Sequence, residues 1–575
     1  MVKELMKSIR EFKLATILTP TFVVGEVIIE ALIPFLISLL INDIKAGCDL
    51  SVILGYAWKL VILSLLSLLC GYLAGIYCAE ASTGFAKNLR YDIFSNIQKF
   101  SFSNIDKFSS ASLVTRLTTD IQNVQMAFMM IIRTAVRAPL NLIFSFTMAY
   151  IMGGSMAVIF LIIIPFLGIG LYLIVRTVMP VFKKGFPLFD KITRIVEENV
   201  KGIRVVKSFV REDYEINKFD ETSNDIRKMF TRAEQIIALN NPLMQISIYA
   251  VMLFVLMFGS EMIIKTNATS LDVGQLSTLM TYGFQIMVSL MMLSMVFVMI
   301  TFSEESSKRI VEVLNEKSSI TSKENAITEV KDGSIDFDHV RFKYSPTAER
   351  PVLENIDVHI KSGETIGIIG GTGSAKSSFV QLIPRLYDVT EGTVRVGKED
   401  VRDYDLVTLR DSVAMVLQKN VLFSGTIADN IRWGNKDATL EEVKHVCHLA
   451  CADEFIEQMP DGYDTWIEQG GTNVSGGQKQ RLCIARALLK QPKILIMDDS
   501  TSAVDTKTDA IIRKAMKEYI PETTKIIIAQ RTSSVEDADR IIVLDGGKID
   551  AIGTSEELLK TNQIYREVYL SQNKQ

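Results

Sequence analysis

The chain has 575 residues, of which 48% are hydrophobic and 22% charged, with a formal net charge of −4. The length exceeds one ordinary domain, the apolar fraction puts part of the chain in lipid, and the near-neutral charge argues against a nucleic-acid partner. Six cysteines follow no framework of spacings; Cys447 and Cys451, near His445 and His448, read as small apolar thiols on one face of a half-buried helix rather than metal ligands.

Residues 1–13 intersperse Lys3, Lys7, Arg10 and Lys13 with Leu5, Met6, Ile9 and Phe12. This is the pattern of an interfacial elbow helix, not of a cleavable signal. Six apolar runs follow, near 14–41, 53–79, 129–152, 156–178, 243–264 and 277–302. Each is long enough to cross a hydrocarbon core of about 30 Å. Arg133 and Arg137, early in the third run, are expected to snorkel to the interface. The connections at 42–50, 153–155 and 265–275 are short and poor in arginine and lysine, whereas 80–128 and 176–242 are long and rich in both. The positive-inside rule then predicts that both termini and the long segments are cytoplasmic.

Polar residues inside apolar runs are costly and so informative. Glu26 and Glu30 lie one helical turn apart in the first run. From Lys13, Glu26 is about 20 Å along a helix rising 1.5 Å per residue. The pair either lines a polar cavity that favours cationic cargo or consists of structural carboxylates. Met287, Met291 and Met295 continue a stripe from Met280 in the sixth run. Such a stripe suits a promiscuous apolar surface and equally suits ordinary helix packing. At 109–120 and 202–215, apolar residues mix with charge at turns between long helices, either as capped turns or as docking elements.

Charged and then irregular sequence marks a linker at 316–332, separating a membrane domain (14–315) from an α/β domain (333–575). Tyr344 follows a predicted strand and is a candidate to stack on a base. The apolar run 364–369 then leads into Gly370, Gly371, Thr372, Gly373, Ser374, Ala375, Lys376, Ser377 and Ser378, with a helix expected from Ser378. Strand, glycine-rich turn, Lys-Ser and helix are the arrangement of a phosphate-binding loop, whose N–H groups converge on phosphate. Lys376 would neutralise phosphate charge and Ser377 would offer its hydroxyl to Mg²⁺. Ala375 stands where a glycine is expected; if the position needs φ > 0, the methyl group costs about 1 kcal/mol.

Gln418 follows the apolar run 413–417 and is able to reach Mg²⁺ or an attacking water from there. Ser475, Gly476, Gly477 and Gln478 open a helix and form a second anion nest. The apolar run 494–497 ends in Asp498-Asp499, carboxylates at a strand tip that suit a hydrated Mg²⁺. The buried run 525–529 ends in Gln530-Arg531.

The phosphate loop with Lys376-Ser377, the signature Val474-Ser475-Gly476-Gly477-Gln478 and the strand-end Asp498-Asp499 together resemble the ATP-binding cassette (ABC) family. Six spans followed by a cassette resemble an ABC exporter half-transporter over nearly the whole chain. The resemblance implies a six-helix transmembrane domain of the exporter type, then a cytoplasmic α/β P-loop nucleotide-binding domain. It implies ATP and Mg²⁺, with Tyr344, 370–378, Gln418 and Asp498 holding ATP·Mg²⁺. Ser475, Gly477 and Gln478 would complete a partner's site, Asp505 would lie at the cassette interface, and 113–120 and 213–219 would be coupling helices.

Three positions depart from the family's pattern. Asp499 stands where the catalytic glutamate is usual, Gln530 where histidine is usual, and Ala375 replaces the loop glycine. Aspartate falls about 1.5 Å short of a glutamate's reach. Glutamine cannot carry imidazolium charge. All three changes fall in one composite site, while the signature is intact. The asymmetry resembles the degenerate-site subunit of a heterodimeric bacterial multidrug exporter, multi-pass in the cell membrane. Alternatives are a homodimeric exporter of lipid, peptide or drug cargo and an ATP-gated regulatory or channel protein. The absence of a protease domain before residue 14 disfavours a peptide processor.

Overall fold

The computed structural model describes residues 1–345 and 347–573. Among them, five helical stretches are long and apolar enough to cross a membrane: Val2–Lys45, Leu50–Ile97, Ser110–Lys201, Glu212–Lys265 and Val273–Asn315. Five stretches hold the six apolar runs, because the third and fourth runs share the stretch Ser110–Lys201. Helices Thr134–Gly153 and Val158–Lys201 are joined only by the helical turn Gly154–Ala157, entered at Gly154 with φ +52°. So short a connection leaves one stretch where the sequence shows two runs. The elbow is also not one helix: Val2–Met6 gives way to the tighter turn Lys7–Phe12, which is itself broken at Arg10, with φ +43°. It is tied to the Leu50–Ile97 helix, where Asn88 Nδ2 donates to Ser8 O at 3.0 Å.

The chain divides into two units, one of Met1–Gln98 with Ser109–Glu316 and the other of Lys99–Phe108 with the chain from Lys317 onward. In the first unit, the Lys13–Lys45 and Val273–Asn315 helices approach closely. A Cβ on Gly274 would lie 2.3 Å from Ser38 O. Beside it, Tyr282 Oη donates to Ala31 O at 2.6 Å. Phe160, Leu167, Val255, Tyr282, Ile286 and Met287 fill the core beneath this contact.

The second unit holds a four-stranded antiparallel sheet and a six-stranded, mostly parallel one. The six-stranded sheet runs Lys548–Gly553, Arg540–Asp545, Thr365–Ile369, Thr524–Ile528, Ile494–Asp498, Val413–Val416. Its last five strands are parallel. Strands such as Ile494–Asp498 and Thr524–Ile528 are buried at every residue, which is why they read as continuous apolar runs rather than alternating ones. Because neighbours run the same way, their carboxyl ends share one sheet edge, the usual place for a ligand crevice in such a sheet. Within two residues of those ends come Gly370, Gln530, Asp499 and Gln418.

Candidate nucleotide site

A cavity of 490 Å³ opens at that edge, lined by residues 370–378 with Gln418, Asp498, Asp499 and Gln530. The loop's glycines have separate reasons. A Cβ on Gly370 would sit 2.2 Å from Leu544 O, and Gly373 has φ +84°. Ala375 is left-handed, at φ +71° and ψ +22°, so the expected strain is present. The helix begins at Lys376, two residues earlier than expected, and runs to Gln381. Lys376 Nζ folds over the loop, donating to Gly370 O and Gly371 O, each at 2.8 Å. Burial pushes its pKa down, against the pull of Asp498 and Asp499.

Asp498 is 5% exposed. Burial pushes its carboxyl up; a Ser377 hydrogen bond opposes this, Asp499 adds to it and Lys376 opposes it. Asp499 sits at φ +49°. Its Oδ2 accepts from Gln530 Nε2 at 2.8 Å and from Gln418 Nε2 at 3.4 Å. The two departing residues are therefore direct partners. Ser377, Asp498 and Gln418 supply hydroxyl, carboxylate and amide oxygens, the hard donor set that fits Mg²⁺.

Comparison with known proteins agrees with this geometry. Residues 16–290 match the ABC transporter transmembrane region and residues 353–502 the ABC transporter domain. The uncharacterized ABC transporter ATP-binding protein YfiB of Bacillus subtilis is 34% identical over 547 residues, covering 95% of this chain and 94% of the relative. This chain belongs to the ABC transporter family. An ATP-dependent lipid A-core flippase of Desulfotalea psychrophila is 31% identical, covering 87% and 86%. A bacterial Atm1-family ABC exporter, solved with ATP bound, shares the fold at TM-score 0.84 and 24% identity, over 98% of each chain. One membrane region and one cassette make the chain an ABC half-transporter, and the cassette implies ATP binding and ATPase activity.

In this half-transporter Tyr344 lies outside the cavity. Its hydroxyl meets Ser378 Oγ at 2.8 Å and its ring edges against Tyr387. Ser475 caps the Gly476–Leu489 helix reciprocally with Gln478. Gly477 is glycine because a Cβ there would lie 2.9 Å from Ala503 O. None of Ser475, Gly476, Gly477 and Gln478 lines the cavity. Asp505 caps the helix Thr506–Tyr519. Sequence reasoning missed Gln480, which accepts from Ala503 N at 3.0 Å, and Arg531, which donates to Ser502 O and Val504 O at 3.3 Å. Both tie loops that are remote in sequence, and no local pattern announces them. Cys447 and Cys451 lie in an apolar core, where burial pushes the Cys447 thiol up to about 12.

Arg137 does not snorkel: Nη1 donates to Glu26 Oε1 at 2.9 Å and Nη2 to Glu30 Oε1 at 2.7 Å. Met287 is fully buried in the helix core, whereas Met291 and Met295 are exposed and line a 440 Å³ apolar cavity. Residues 113–120 pack within the membrane unit, with Leu113 and Asp120 buried and Asp120 Oδ1 accepting from Arg309 at 2.6 Å. The segment that belongs to the cassette unit is Lys99–Phe108, whose Asp106 accepts from Tyr387 Oη at 2.9 Å.

Proposed function

We propose that this chain is one half of an ATP-driven exporter of amphipathic, multidrug-type compounds. It pairs with a different ABC half in the bacterial plasma membrane, with both termini and the cassette cytoplasmic. Its own ATP site binds ATP·Mg²⁺ and hydrolyses it slowly or not at all, while Ser475–Gln478 complete the partner's site. The observation that carries this reading is the 2.8 Å hydrogen bond from Gln530 to Asp499. The short carboxylate accepts amide hydrogens from Gln530 and Gln418 in place of orienting a water. A shortfall of about 1 Å from the reacting water costs on the order of 100-fold in rate.

The cargo reading rests on the apolar cavity between membrane helices, where Phe182, Phe302, Met291 and Met295 meet Asn240, Asn241 and Ser294. Adaptable apolar walls with a few polar groups suit amphipathic molecules. Glu26 and Glu30 both pair with Arg137 and do not line this cavity, so the reading does not extend to cationic cargo. The exposed apolar tip around Val205, Phe209 and Val210 fits a docking element for a partner's cassette. A lipid-flipping activity is the second reading, supported by the relatives named as lipid A-core flippases.

The test replaces the departing pair. In lipid, the D499E/Q530H double variant is expected to hydrolyse ATP at least about tenfold faster than wild type. An unchanged rate contradicts a site limited by these two residues.

A further inference from the structure

We propose that Gln572, on the helix Gln563–Asn573, is a positioning residue for Gln530. Through it the helix sets how firmly ATP·Mg²⁺ is held at this chain's own site. The inference rests on reading the 490 Å³ cavity as an ATP site.

One side-chain amide is used at both ends. Gln572 Nε2 donates to Gln530 O at 2.7 Å. Gln572 Oε1 accepts from Thr532 N at 2.8 Å and from Thr532 Oγ1 at 3.2 Å. Two backbone groups flanking Arg531 are thereby fixed by a residue 42 positions from Gln530. The side chain of Gln530 leaves this pinned backbone to reach Asp499 at 2.8 Å. A hydrogen bond of that length is lost with a displacement of about 1 Å. The same helix touches the cavity directly, since Val568, one turn before Gln572, lines it. Tyr565, another turn back and fully buried, anchors the helix through a 2.8 Å contact between its hydroxyl and Ser555 Oγ. Tyr565, Val568 and Gln572 recur at steps of three and four, so they share one helix face. That face carries an anchor, a cavity wall and the clamp on the Gln530 loop.

A plain docking contact would give the same static picture, so the test is a double-mutant cycle on the full chain in lipid. Binding of a fluorescent ATP analogue with Mg²⁺ is measured for wild type, Q572A, Q530A and the double variant. Q572A is expected to weaken binding about threefold to tenfold, the scale of one or two net hydrogen bonds. In the Q530A background the further loss is expected to stay under about twofold, because a residue acting through another adds nothing once that one is removed. Q572E keeps the acceptor and loses the donor, and should fall between wild type and Q572A. Amide exchange over residues 529–534 without nucleotide should be faster in Q572A than in wild type. Equal losses in both backgrounds, or unchanged exchange, overturn the proposal. Absence of nucleotide binding by wild type would count against the ATP-site reading instead, and the exchange comparison would then decide the role of Gln572.

Discussion

Gln530 and Asp499, 31 residues apart, share a 2.8 Å hydrogen bond at the carboxyl ends of adjacent parallel strands. The pairing joins two residues that each depart from the family's usual chemistry. Strand Thr524–Ile528 lies directly beside Ile494–Asp498, so whatever follows one strand faces whatever follows the other. A histidine–glutamate pair and a glutamine–aspartate pair would occupy the same place with different reach and charge.

Ala375 holds φ +71°, a region that penalises a Cβ. Ala375→Gly is therefore expected to stabilise the cassette by about 1 kcal/mol, because the strain it removes exceeds the flexibility it adds to the unfolded chain. Thermal unfolding of the full chain checks this, and a lower midpoint for the variant would contradict it.

Arg137 bridges Glu26 and Glu30 inside the helix bundle. Removing only the cation strands two carboxylates in apolar surroundings, so Arg137→Ala should cost about 3 kcal/mol. The triple variant R137A/E26Q/E30Q should recover most of that loss. Thermal unfolding in lipid distinguishes them; equal losses would mean that the cluster contributes packing rather than charge compensation.

Tyr387 donates to Asp106 at 2.9 Å while its ring meets Tyr344 and Phe102. Tyr387→Phe keeps the rings and removes the hydrogen bond, an expected loss of about 1–2 kcal/mol for a bond to a charged acceptor. A thermal midpoint unchanged from wild type would show that this contact contributes nothing to holding Lys99–Phe108 in the cassette unit.

Glu364 tests the acid limb. Burial pushes its carboxyl up, but Arg540 and the Lys361 amide outweigh burial and hold it below the usual glutamate value. A depressed carboxylate contributes stability above its unfolded value and loses it as pH falls through the folded one. The stability gap between wild type and Glu364→Gln should therefore be full at neutral pH and close progressively in acid. A gap that widens on acidification would contradict the assignment.

The phosphate loop and the strand-end carboxylates were legible because both are local. A buried parallel strand shows as an unbroken apolar run, and the turn after it must carry glycine where backbone comes close, as Gly370 does against Leu544 O. The strain at Ala375 followed from the same reasoning. What stayed hidden depends on partners remote in sequence. Arg137 meets Glu26 and Glu30 across more than one hundred positions, and an arginine near the end of an apolar run looks the same whether it snorkels or pairs. Likewise, residues 113–120 and 99–108 both mix charge with apolar residues. The ties of Asp120 to Arg309 and Ser306, against that of the exposed Asp106 to Tyr387, separate the units to which they belong. Gly153 and Gly154 read as a break between two runs; the chain does turn at Gly154, with φ +52°, but the connection is a single helical turn, so the two runs share one stretch.

On the proposed function, this chain's own site binds ATP without turning it over efficiently. The direct measurement is ATP binding and ATP turnover on one sample of the purified chain in lipid. Saturable, Mg²⁺-dependent binding is expected, with little or no turnover until a second ABC half is added. Robust turnover by the chain alone, abolished by Asp499→Asn, would contradict it and make the chain a working homodimer.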